Sequence, residues 1–131
     1  MTRPEVPREE NIVRAIHFAW WDRQADRGFA ASIFKGPNNS VSRLSILGLV
    51  ELFQIFHAEL DKSPHGVIVG AGEINVGRLK EIAENHTPSL ELTVLQAPLP
   101  QNPAHAEIPQ NISRGLANSI IKELVFHEDT V

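Results

Sequence analysis

The 131-residue sequence contains no cysteine. Because disulfides, thiolate nucleophiles and iron–sulfur clusters all need cysteine, its absence excludes them, together with every zinc site built on cysteine ligands. Long hydrophobic runs are also missing. The longest, at 46–50 and 66–72, are far shorter than the ~20 residues that a membrane-spanning helix requires. The first ten residues are charged and contain proline, unlike a signal peptide, so we expect a cytoplasmic protein without a membrane span.

Positive charge is too sparse for a nucleic-acid surface. The formal net charge is -4. Residues 1–43 carry seven Lys and Arg against five Asp and Glu, whereas residues 44–131 carry five against eleven. Binding of duplex nucleic acid through counterion release needs a larger local excess of basic residues. Generic nucleic-acid binding is therefore disfavoured.

The composition, 42% hydrophobic and 21% charged, is that of one ordinary globular domain. Charged residues and prolines over 1–10 predict a flexible N-terminal tail, and a single α+β domain is predicted over 11–131. The spacing of apolar residues predicts helices at 48–60, 75–86 and 111–126. We expect a small mixed or antiparallel sheet that is packed mainly on one face by two or three helices. Four prolines within 96–110 argue against a regular element there.

Several familiar site motifs are incomplete. The segment 67–72 looks like the start of a dinucleotide-binding turn, but the third glycine position holds Asn75 and the next glycine is Gly77. Glycines at a sheet edge or bulge are the preferred interpretation. His105 and Glu107 match half of the zinc nucleobase-deaminase signature, whose other half requires cysteines. No serine lies in a G-x-S-x-G motif, and no H-x3-H or H-E-x-x-H spacing occurs. The sequence therefore predicts neither a cofactor nor a metal.

A candidate catalytic pair remains in the segment 102–109. His105 and Glu107 are two residues apart, so their side chains share one side of an extended chain. Pro103 and Pro109 bracket them, which lowers the entropic cost of holding the pair in one direction. We predict that His105 is an acid or base that Glu107 orients. The alternative is that His105 is hydrogen-bonded to backbone in a structural turn.

Anion recognition has candidates in two places. Ser40, Ser42 and Arg43 follow a turn rich in Gly, Pro and Asn, where hydroxyls, turn amides and a guanidinium donate hydrogen bonds. Arg14 interrupts the first apolar strand, where a buried arginine needs an acidic partner or a ligand. The structural alternative for Arg14 is an ion pair, for instance with Glu73 or with the glutamate of the catalytic pair. The predicted ligand-binding residues are Arg14, Ser40, Ser42 and Arg43.

Two functional hypotheses follow. The first is a small, non-catalytic interaction module that binds a protein partner or itself, because the helix at 48–60 is nearly apolar all round and Trp20 and Trp21 add two large rings. A homo-oligomer or a protein complex is expected in that case. The second is a small enzyme or ligand binder acting on an anionic, phosphate-bearing substrate through His105 and Glu107, with the two candidate arginines neutralising charge.

Overall fold

The computed structural model describes residues 3–21 and 30–129. The strands are β1 (Asn11–His17), β2 (Asn39–Arg43), β3 (Ile68–Asn75), β4 (Leu95–Gln96), β5 (His105–Ile108) and β6 (Val125–Glu128). The helices are α1 (Leu49–Leu60), α2 (Val76–Glu84) and α3 (Arg114–Ile121), with short 3-10 turns at Phe18–Trp20 and Ala31–Ile33. The strands form one antiparallel sheet in the order β4-β5-β2-β1-β3-β6. The predicted α+β class, with an antiparallel sheet and three helices, is confirmed.

Each face of the sheet has its own core, because side chains of a strand point alternately to the two faces. On one face the larger core lies against α2 and α3 and includes Ile12 and Ile16 of β1. On the other face α1 packs on Val13 and Ala15 of the same strand. The buried side chains of α1 are Leu52, Phe53 and Phe56. Two of the three helices and most of the core therefore share one face.

Two regions differ from the sequence-based expectation. The last helix begins at Arg114 instead of 111, after the N-cap residue Ser113, whose side chain accepts a hydrogen bond from the Leu116 amide, and it ends at Ile121 instead of continuing to 126. The apolar pattern continues beyond the helix because Phe126 packs on the same core from β6. Strand β5 was not expected among the prolines, but none of them lies within His105–Ile108. The ladder hydrogen bonds of β5 therefore lose no donor to proline.

Residues 3–10, where a flexible tail is predicted, run from β4, which residues 4–6 contact, to the start of α2, whose Val76 and Gly77 amides donate to the Glu10 and Arg8 carbonyls. The Val6 side chain is only 2% exposed, and its amide donates to the Val94 carbonyl at 2.7 Å. The Gln96 amide donates to the Pro4 carbonyl at 2.8 Å. The apolar side chain and these backbone bonds hold the segment in place, since Val6 belongs to the larger core.

Within 3–21 and 30–129, no helix is long and apolar enough to cross a membrane.

The glycines of the incomplete nucleotide motif permit close packing of β3 and β6. A Cβ atom on Gly70 would lie 2.5 Å from the Phe126 ring and 2.6 Å from the His127 carbonyl oxygen. On Gly72 it would lie 2.8 Å from the Leu124 side chain. These distances are shorter than a side chain tolerates, so the glycines allow neighbouring side chains to cross the strand. Their place in the fold is an interior strand and not a strand-to-helix turn.

β1 pairs to different extents with its two neighbouring strands, and this difference determines where the candidate site lies. It pairs with β3 from Asn11 to His17, but with β2 only at Ile12 and Val13. Beyond Val13 the hydrogen-bonded ladder between β1 and β2 ends, which leaves an opening in the middle of the sheet. Arg14 is the next residue of β1.

Candidate functional site

A cavity of about 320 Å³ lies between α1 and the sheet, next to this opening. Strands β1, β2 and β5 line one side of it, α1 lines the other, and residues 99–102 close one end. The polar side chains near its sheet side are Arg14, His17, Ser40, Ser42, Asn102 and His105. Cavities of this volume are in the range that small-molecule sites occupy.

Arg14 fills the opening between β1 and β2. Its Nε donates to the Ile33 carbonyl at 2.8 Å and its Nη1 donates to the Ser40 carbonyl at 2.7 Å. The Ser40 carbonyl thus receives a side-chain donor where the strand ladder offers none. Burial lowers the pKa of Arg14 to about 10, so the guanidinium remains charged at neutral pH.

The described part of the chain offers Arg14 no carboxylate partner. Glu73, one expected partner, accepts from Asn11 at 2.6 Å and contacts His127 at 2.6 Å. Glu107, the other, pairs with Arg3 at 3.3 Å. A charge removed from water without a counter-ion is costly to the fold. Arg14 is therefore the most unusual charged group in this structure.

Two histidines of the cavity have a fixed tautomer. The His105 Nδ1 donates to the Ala97 carbonyl at 2.7 Å, and the His17 Nδ1 donates to the Gly66 carbonyl at 2.8 Å. A carbonyl oxygen only accepts, so Nδ1 carries the hydrogen in both rings. Neither Nε2 has a hydrogen-bond partner within the described residues. In the neutral ring each Nε2 is therefore an unused acceptor.

Ser42 lies opposite His105 in the β2–β5 pairing, on the same face of the sheet. The Asn102 amide donates to the Ser42 hydroxyl at 3.1 Å, and the Asn102 carbonyl oxygen accepts from the Ala104 amide at 3.1 Å. The second bond fixes the orientation of the Asn102 side chain. Because the Ser42 oxygen already accepts, its own hydrogen is left to donate to a ligand or to His105.

Aromatic and aliphatic side chains line the remainder of the cavity. The Trp20 ring centre lies 5.4 Å from the Arg14 guanidinium carbon and 4.6 Å from the His17 ring centre. On the opposite side, Phe56 and Leu60 of α1 face the sheet across the cavity. The site thus combines one cation and several hydrogen-bonding groups with an apolar surface.

Two of the predicted site residues lie elsewhere. Arg43 binds Glu10 through two hydrogen bonds of 2.9 and 2.7 Å, which hold the pKa of the Glu10 carboxyl below its ordinary value. The ion pair with Arg3 leaves Glu107 outside the cavity, and the structure provides no contact through which it could orient His105. Arg14, Ser40, Ser42 and His105 are brought together.

Sequence reasoning missed two residues of the site. His17 was not singled out, although it is a polar residue in a nearly apolar strand, as Arg14 is. A polar residue within an apolar strand was therefore the sequence feature that could have identified His17 as a site residue. Asn102 is 5% exposed within a loop, and nothing in its sequence context indicates that it is buried or that it binds Ser42.

Comparison of the chain with protein-family models, with curated proteins and with solved structures finds no match. The functional argument therefore depends on the geometry of the cavity. Within 3–21 and 30–129, no group of three or more His, Asp or Glu side chains is arranged to hold a metal ion.

Proposed function

We propose that the protein binds a small organic anion in the cavity between α1 and the sheet, and that Arg14 fixes the negative charge. One observation carries this proposal: Arg14 lines the cavity, is largely buried and has no carboxylate partner in the described part of the chain. An anionic ligand would supply the missing counter-charge.

The hydrogen-bonding capacity of Arg14 supports this role. A guanidinium has five N–H groups in a planar fork, and the two bonds to the Ile33 and Ser40 carbonyls use two of them. The remaining donors suit the two oxygens of a carboxylate or phosphate. The neighbouring Ser42 hydroxyl adds one more donor, and the apolar side of the cavity suits an organic body over a free inorganic ion.

Isothermal titration calorimetry with benzoate and phenyl phosphate tests the proposal, with neutral benzyl alcohol as the reference ligand. We expect at least one anion to bind, and Arg14→Met to weaken its binding by at least about tenfold because a charge-assisted fork is lost. Arg78→Met is the matched control, since Arg78 is exposed on α2 and paired with Glu123. The proposal is wrong if neither anion binds, or if Arg14→Met binds as wild type does.

An interaction module remains a second candidate, favoured by exposed apolar side chains. Phe18 is 64% exposed, and its amide donates to the carbonyl of Val67, which is 50% exposed. On α1, Val50 is 69% exposed, so this helix is not buried all round. Light scattering tests the candidate: association at high micromolar concentration that Phe18→Ser reduces would support it. A clean monomer would remove its support.

A further inference from the structure

We propose that the ligand is a phosphate monoester with an apolar or aromatic body, and that its binding adds a proton to His105. This inference rests on the proposed function, because it takes Arg14 as the site of the negative charge. It adds the class of ligand and a proton that accompanies binding.

The expected uptake of a proton by His105 follows from the fixed tautomer of its ring. With Nδ1–H bonded to the Ala97 carbonyl at 2.7 Å, a neutral His105 presents only the lone pair of Nε2. A lone pair repels a phosphate oxygen, whereas a protonated Nε2 donates a charge-assisted hydrogen bond to it. A phosphate oxygen within reach of Nε2 therefore favours the protonated ring, and binding must take up a proton from solvent.

The charges around His105 favour a doubly charged ligand. From β1, Arg14 is one full positive charge, and the His17 ring also lines the cavity. From α1, Glu59 is exposed at the cavity rim and is the carboxylate of the lining. On β5, Glu107 is paired with Arg3 and so contributes little negative charge.

One arginine balances a monocarboxylate without help. A phosphate monoester carries nearly two charges above its second pKa of about 6, so it also needs a second cation. His105 lies opposite Ser42 in the sheet, and the Ser42 hydroxyl, which lines the same cavity, is a further donor for a phosphate oxygen. This set of donors suits a group with three terminal oxygens better than a carboxylate with two.

The apolar surface of the cavity indicates which organic group the ligand carries. Phe56 and Leu60 of α1 offer apolar surface facing the polar groups, and the Trp20 ring adds apolar surface beside Arg14 and His17. Burying part of a ring there removes apolar surface from water. Phenyl phosphate combines the two features and is the probe of choice, with inorganic phosphate lacking the ring and benzoate lacking the second charge.

The test is calorimetry at pH 7.5, where free histidine is mostly neutral, in two buffers of different ionisation enthalpy. The difference in observed enthalpy gives the number of protons bound with the ligand. We expect phenyl phosphate to bind about tenfold more tightly than inorganic phosphate or benzoate, and to take up about one proton. Benzoate should take up almost none.

Two variants test whether His105 is the group that takes up the proton. His105→Gln keeps an N–H that can bond the Ala97 carbonyl but cannot be protonated, so it should lose most of the proton uptake and weaken phenyl phosphate, with benzoate nearly unchanged. Retained benzoate binding also shows that the variant is folded. His86→Gln, exposed and outside the cavity, should behave as wild type.

Four results would overturn the inference. Equal binding of benzoate and phenyl phosphate would assign the cavity to carboxylates. Unchanged proton uptake in His105→Gln would remove the role of His105. Binding that depends on Arg14 without any proton uptake would refute this inference and leave the proposed function standing, whereas no binding of any of the three anions would refute both.

Discussion

Replacing Arg14 by Met distinguishes a structural role from a ligand-binding role. Methionine matches the arginine side chain as far as Nε, but it carries neither the charge nor the donors. If Arg14 only holds the two strands in place, the substitution should lower the free energy of unfolding of the ligand-free protein. If Arg14 binds a ligand, the substitution should mainly reduce the stabilisation that the ligand provides.

The expected change in stability follows from two opposing contributions. Burial lowers the pKa of Arg14 well below its ordinary value, to about 10, so the charged form costs the fold about 3 kcal/mol at neutral pH. The unfolded chain keeps its proton to higher pH, so this cost is present below about pH 10 and disappears as the pH rises from there to the ordinary pKa of arginine. Arg14→Met removes the cost.

The opposing contribution is the loss of two donors. The Ile33 and Ser40 carbonyls lose their hydrogen bonds to Arg14, at about 1–3 kcal/mol each if they stay dry. A cavity of this size admits water that can replace a donor, which places the loss near the lower end of that range. The two contributions nearly cancel. We expect the free energy of unfolding to change by no more than about 1 kcal/mol.

Urea denaturation at pH 7.5, with and without phenyl phosphate at ten times its Kd, measures both states. Wild type should gain about 1.4 kcal/mol from the ligand, and Arg14→Met almost nothing. The reasoning fails if the variant loses about 3 kcal/mol or more without ligand, or if the ligand stabilises both proteins equally.

Three other predictions concern the fold. Ile120→Asp should destabilise the protein by several kcal/mol in equilibrium denaturation, because this fully buried α3 side chain would become an unpaired charge; a change within ~0.5 kcal/mol would contradict the packing. Gly70→Ala should cost about 1–3 kcal/mol, since its Cβ would collide with the Phe126 ring, and an unchanged unfolding midpoint would disprove the close approach. The contact with Asp129 raises the pKa of His57, so its stabilising effect is complete below about pH 6.5 and is lost as the pH rises through the raised value. Unfolding free energies from pH 6 to 9 should therefore fall more in wild type than in His57→Gln; parallel curves would refute the ion pair.

The fold could be predicted where a single helix or strand buries apolar residues that recur at regular spacing. The apolar residues of α1 and α2 recur at helical spacing, and β1 carries apolar residues on both of its faces, apart from Arg14, because both faces are covered. The end of α3 could not be predicted, since Phe126 continues the apolar pattern from a strand. Short strands such as β5 depend on pairing with β2, a contact between residues about 65 positions apart that local sequence does not encode.

The candidate site was predictable only in its unusual residues. Arg14 stands out because a cation in an apolar strand needs an explanation. Arg43 looked equally suitable, but whether an arginine finds a carboxylate depends on the fold, and Glu10 lies within 2.9 Å of its Nε. The same applies to Glu107, which pairs with Arg3 at the other end of the chain. Sequence identifies groups that need a partner, and tertiary structure decides which of them obtain one.

The opening between β1 and β2 connects the fold to the site. By alternation, Arg14 belongs with Ile12 and Ile16 on the face of the larger core, yet it lines a cavity on the α1 face. It reaches that cavity because the β1–β2 ladder ends at Val13 and its guanidinium bonds the free Ser40 carbonyl. The arginine thus places a positive charge at the end of the β1–β2 ladder, beside the cavity.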